Sequence, residues 1–120
     1  MVLVSSIFSG LAGVEHIYIM TIEMFFFGTP YVNKVFGIKD KETAKHPLVK
    51  TLAANQGLYN GLLSAGLLWA AATGRQDLTF AFNGAVVVAA LYGAITVKPT
   101  ILFIQGGPSI AALIVAGLGH

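Results

Sequence analysis

The sequence has no cysteine and little charge. Without cysteine there is no disulfide framework, no thiolate metal site and no cysteine nucleophile. Charged residues fill 10% of the 120 positions, where a soluble domain carries roughly 25%. A soluble fold this small needs polar residues to cover its surface, so a soluble monomer, a disordered segment and a nucleic-acid binder are excluded. A serine nucleophile elbow, a phosphate loop and a dinucleotide fingerprint are also missing, which argues against the enzymology of a soluble substrate. There is no β pattern and no internal repeat. What the chain has in quantity is apolar: hydrophobic residues make up 56% and the mean hydropathy is +0.78.

The apolar residues fall in four stretches, at 2–27, 48–73, 78–97 and 100–118, which read as one membrane domain. A spanning helix needs about 20 residues. The first stretch does not read as a cleavable leader, because no Lys or Arg precedes it, the run is too long, and Glu15 and Glu23 interrupt it. After it, Thr29-Pro30 reads as an N-cap with Pro at the first helical position, and Gly37 closes the turn. Tyr31, Val35 and Phe36 share one face there, which predicts a short helix on the membrane surface with that face down. Lys39 to Lys45 reads as a solvated turn, and His46 as a solvated cap. Pro47 opens the second long helix, Lys98-Pro99 breaks the third, and Pro108 predicts a kink in the fourth. Short connections favour antiparallel neighbours. The expected fold is all-α, an antiparallel four-transmembrane-helix bundle with a short interfacial helix between the first and second spans.

Lys34, Lys39, Lys41, Lys45, Lys50 and Lys98 lie on one side of such a bundle, against Arg75 on the other. The positive-inside rule puts the Lys-rich loops in the cytoplasm and both termini outside the cell membrane. Trp69 reads as an interface anchor.

Two of the five acidic residues, Glu15 and Glu23, lie inside the first span, and His16 adjoins Glu15. A central charge costs roughly 2.5–3.5 kcal/mol on insertion scales, so these residues demand an explanation. At about 100° per residue, Ser5, Ser9, His16 and Glu23 form one stripe with Glu15 at its margin. On the second span Asn55, Gln56, Tyr59 and Asn60 make a polar face, opposite Ala54, Gly57, Gly61 and Ala65, whose small-xxx-small spacing suits close helix contact. Glu23, Gln56, Tyr92 and Gln105 lie at similar depth from the cytoplasmic ends of their spans; Glu15 and His16 sit deeper, with Asn60 between. Glu15, His16, Glu23, Asn55, Gln56, Tyr59, Asn60, Tyr92 and Gln105 predict a cytoplasm-facing polar cleft that binds a ligand or carries protons. Asn83 falls outside it, towards the outer side and away from Tyr92. The bland account is that the same groups fix helix register by hydrogen bonds; the sharper one is that intramembrane ionisable residues mark function. No catalytic residue, cofactor or metal is assigned. Adjacent Glu15 and His16 diverge by about 100°, whereas di-iron bundles space Glu-x-x-His.

Several of these runs resemble a known family. They are Glu15-His16-Ile17-Tyr18-Ile19-Met20 with Glu23-Met24-Phe25, Leu52-Ala53-Ala54-Asn55-Gln56-Gly57-Leu58-Tyr59-Asn60-Gly61, Tyr92-Gly93-Ala94 and Ile101-Leu102-Phe103-Ile104-Gln105-Gly106. The chain is similar over nearly its whole length to domain-of-unknown-function family 1304, small membrane proteins of bacteria and fungi. Phe27-Gly28 departs from the Trp-Thr expected in such proteins, which bears on the helix end. The resemblance implies four membrane helices and no established activity. Three functions stay open: a binding or transport protein for a small polar or cationic solute, which needs a homodimer; a membrane-embedded acid–base enzyme acting on a lipid or isoprenoid; and an accessory subunit docked through the polar stripe. The expected partners are membrane lipids, a small-molecule or lipid ligand and a second copy of the chain, and not nucleic acid.

Overall fold

Glycine, proline and lysine punctuate the apolar stretches into seven helices. The computed structural model describes residues 3–120, among which no strand forms. In chain order the helices are α1 (Val4–Phe25), α2 (Pro30–Phe36), α3 (Lys41–Lys45), α4 (Pro47–Thr73), α5 (Gln76–Thr96), α6 (Thr100–Ile104) and α7 (Gly107–Gly117). The start of the first expected span at Val2 lies outside the described residues. The protein is all-α, and α1, α4 and α5 are helices over most of the first three apolar stretches. Two expectations are corrected. The fourth span is not one kinked helix: it stops at Ile104 and resumes at Gly107, so Pro108 sits in the first turn of α7, where its missing N–H goes unfelt. The solvated turn at Lys39 to Lys45 contains α3, because Asp40 Oδ1 accepts from the backbone N–H groups of Glu42 (3.0 Å) and Thr43 (3.4 Å) and caps it.

Among the described residues one helix, α5, is long and apolar enough to cross a membrane by length and composition. Glu15, His16 and Glu23 dilute α1, Asn55, Gln56 and Asn60 dilute α4, and α7 has 11 residues.

The chain divides into two compact units, a terminal unit made of the chain up to Glu15 with Leu63–His120, and a central unit, His16–Leu62. In the terminal unit α5 packs on α6 and α7. Ala12, Leu67 and Val86 form its apolar centre, with Leu63 and Phe82 against them. Much of the remaining interior is small or polar: Ala70, Ala90, Ala112 and Ala116 are buried beside Ser5, Ser9, Ser64, Thr79, Asn83 and Ser109. The chain's two ends meet where the Ser5 N–H donates to the His120 carbonyl at 3.2 Å. In the α4–α5 turn the Arg75 guanidinium lies 5.7 Å from the Trp69 ring centroid and pairs with Asp77 at 2.7 Å.

In the central unit the second half of α1 meets the first half of α4 at glycine. A Cβ on Gly57 would stand 2.5 Å from Met24 Cγ and 3.1 Å from the Met20 carbonyl, and one on Gly61 would stand 2.6 Å from Met20 Sδ. The small-residue face of α4 is therefore the one that approaches α1. Thr29 caps α2, and Gly37 ends it in the left-handed region (φ 69°) that glycine adopts without strain. Val32 and Asn33 of α2 turn inward while Tyr31 and Val35 stay exposed, so the buried face differs from the expected one. Phe27 and Phe36 rings pack at 6.2 Å, and the Tyr18 and Tyr31 hydroxyls share a hydrogen bond.

Candidate functional site

In the central unit the α1–α4 contact at Gly57 sets two polar side chains together. Asn60 lies about one turn past Gly57 on α4, and its Nδ2 donates to Glu23 Oε1 of α1 at 2.5 Å and to the Gln56 carbonyl at 3.1 Å. Glu23 and Asn60 are both half-buried. His16 is buried, at 3% exposure. The other expected members of this face do not join them. Asn55 donates to the Thr51 carbonyl of its own helix (3.0 Å), Gln56 is exposed, and Tyr59 is 62% exposed. The amide-rich face of α4 is thus split, with Asn60 on the inner edge and Asn55, Gln56 and Tyr59 on the outside.

The terminal unit holds the remaining three. Glu15 is half-buried, and its Oε1 is fully buried with no hydrogen-bond partner among the described residues. Tyr92 of α5 is 68% exposed. Gln105 follows α6 as its C-cap, with its N–H donating to the Ile101 carbonyl at 2.9 Å. Among the described residues no three of His, Asp and Glu come together as metal ligands.

Sequence reasoning passed over Asn83, which is fully buried. Its Nδ2 donates to Ser9 Oγ of α1 and to the Thr79 carbonyl, both at 2.9 Å, and its Oδ1 has no partner among the described residues. Depth from the cytoplasmic end hid it, because the residue that meets it is Ser9, near the start of α1. The available signal was helical spacing: Thr79, Asn83, Val86 and Ala90 fall on one face of α5 and all four are buried. A second interhelical bond, from Ser64 Oγ to the Gly13 carbonyl at 2.7 Å, ties α4 to α1 in the same unit.

A family model for proteins of unknown function, DUF1304, matches residues 10–116. The chain is also similar to the uncharacterized protein YpaA of Lactococcus lactis subsp. lactis (strain IL1403), 34% identical over 116 residues that cover 95% of this chain and 97% of the relative. This chain therefore belongs to the DUF1304 family. The matched region contains each of the nine expected site residues and Asn83. No solved structure matches it.

Proposed function

We propose that this chain is an integral membrane protein that binds a small polar or cationic solute or carries protons, with Glu15 in one unit and Glu23 in the other each a candidate counter-charge or proton carrier. The observation that carries the reading is a buried carboxyl oxygen, Glu15 Oε1, left without a hydrogen-bond partner in an interior of inverted polarity. Seven of the twelve buried hydrophobic residues among the described ones are alanine, while Phe25, Val88, Ile95, Phe103 and Leu118 are each at least two-thirds exposed. Small residues inside and large apolar ones outside suit a lipid surround. The helix lengths support it too: α1, α4 and α5 have 22, 27 and 21 residues, enough at about 1.5 Å each for a hydrocarbon core of about 30 Å. The broken pair α6 and α7 makes the fourth crossing of an antiparallel bundle. On this reading the Lys-rich connectors are cytoplasmic and both termini are outside. A buried carboxyl in such a setting needs a proton, a cation or a bound donor, and any of the three is a function.

Native mass spectrometry of wild type and Glu23→Gln, purified in a mild detergent, tests the proposal. A small molecule held by wild type and lost from the variant is expected. Two identical spectra of bare protein would overturn the binding reading.

A second feature favours self-association. Asn55, Gln56 and Tyr59 are exposed on the outer face of α4, and each amide carries both donors and an acceptor. Two copies of that face can satisfy one another about a twofold axis, as a homodimer requires.

A further inference from the structure

The polar groups inside the terminal unit outnumber the bonds among them. Asn83, Ser9 and Ser109 are fully buried and Ser5 is 1% exposed. The oxygens Ser5 Oγ, Asn83 Oδ1, Ser109 Oγ and Glu15 Oε1 are buried without a hydrogen-bond partner among the described residues. Buried polar atoms in folded proteins nearly always find a partner, protein or ordered water, and bound water is the usual remedy where protein cannot reach.

The register gives these atoms their levels along the helix axes. Built Cβ atoms put Gly93 against Ile101 (3.0 Å) and Gly106 against Ala90 (3.1 Å), so α7 runs antiparallel to α5. Counting on from that pair sets Ser109 level with Val87, about one turn from Asn83 along the axis. Asn83 bonds Ser9, which fixes its level on α1. Ser5 lies about 6 Å to one side of Ser9, beside His120, and Glu15 about 9 Å to the other. The resulting order is Ser5, then Ser9 with Asn83, then Ser109, then Glu15. Along the helix axes successive levels differ by about 6 Å or less. The Asn83 amide nitrogen meets Ser9, which leaves its Oδ1 as the free acceptor, and Ala112 and Ala116 are small buried residues on α7.

We propose that the interior of the terminal unit binds a file of water molecules, running from the end where Ser5 meets His120 to the Glu15 carboxyl. Serine hydroxyls donate and accept along the file, and Asn83 Oδ1 accepts at its middle. Its use as a proton route rests on the reading of Glu15 given above; the binding of water does not.

Water-edited solid-state NMR on the full chain in phosphatidylcholine bilayers reads the file directly. Magnetisation from water is expected to reach the Asn83 side-chain amide and Ser109 Cβ several-fold faster than Val86 and Leu67, which are as deeply buried. In Ser109→Ala, a change small enough to keep the fold, fast transfer to Glu15 is lost while Ser5 and Ser9 keep theirs. Asn83 and Ser109 building up no faster than Val86 would overturn the proposal, as would an unchanged profile in Ser109→Ala. Slow transfer with shifts that move on adding sodium would also overturn it, in favour of a cation on the same oxygens. A wet file whose bound-solute spectrum is unaltered by Glu15→Gln sinks the carboxyl reading and keeps the water; a dry file with the solute lost in Glu15→Gln does the reverse.

Discussion

The terminal unit buries hydroxyls and an amide and turns its large apolar residues outward, whereas the central unit exposes Asn55, Gln56 and Tyr59 and closes its interior with glycine against methionine. Both join α1 to α4, and they do so by different means. In the terminal unit Ser64 reaches the Gly13 carbonyl and Asn83 reaches Ser9, so polar bonds cross between helices. In the central unit the Asn60 to Glu23 bond sits beside a close approach at Gly57, where a Cβ would stand 3.1 Å from the Met20 carbonyl. The central unit should therefore be sensitive to added volume at Gly57, as the terminal unit is at Gly66 against the Phe82 ring, and loss of polar atoms should tell mainly in the terminal unit.

The steepest break in the central unit is at Gly57. In Gly57→Ala the new methyl meets the Met20 backbone carbonyl as well as Met24, so α1 and α4 must separate. Overpacking of this kind costs about 1–3 kcal/mol. Gly61→Ala meets the flexible Met20 side chain alone and should cost well under half as much. Unfolding of both variants in mixed detergent, followed by circular dichroism, checks the pair; equal losses would mean that the backbone approach is not what joins the central unit.

How much of this was legible follows from the same contrast. The glycine face of α4 could be read from spacing, because close approach leaves a four-residue period of small residues. The ends of α2 could be read because Thr29-Pro30 and Gly37 act within one turn. The inward face of α2 could not: Tyr31 and Val35 look more apolar than Asn33, yet Asn33 is the buried one, and that choice depends on what α2 packs against. α3 was hidden because five residues give no hydrophobic period, and its formation rests on the Asp40 cap. Among the site residues, depth set Glu23 level with Gln56, whereas its partner is Asn60, one turn further along α4. Asn83 was set outside the cleft because depth was counted from the cytoplasmic end, whereas its partner Ser9 lies near the start of α1.

Polar truncation should reverse the ranking of the units. Asn83→Ala removes a buried donor to Ser9 and to Thr79 and is expected to lose about 1–2 kcal/mol in the same assay. A smaller term is expected in the central unit, where a double-mutant cycle of Glu23→Gln and Asn60→Ala should give a coupling near the average of about 0.6 kcal/mol for polar pairs between membrane helices. A coupling above that of an equivalent Ser9 and Asn83 cycle would put the stronger polar joint in the central unit and undo the contrast.

The smallest effects lie in the loops, where each unit carries an aspartate held below its ordinary range by a different cause. The Thr43 hydroxyl and the α3 backbone amides hold Asp40 down, and the Arg75 guanidinium holds Asp77 down. Both folded values are depressed, so whatever stability each adds is present above the ordinary aspartate range, near pH 4, and fades as pH falls through the lower folded value. Both groups are exposed, so the loss in melting temperature should be slight. Salt separates them. Ions screen Arg75 from Asp77, whereas a hydroxyl and backbone N–H groups carry no net charge to screen. On raising salt, the Asp77 carboxyl midpoint read by carbon NMR should move up towards the ordinary range and the Asp40 midpoint should stay. Equal movement of both would mean that Asp40 owes its low value to the lysines around it and not to its role as the cap of α3.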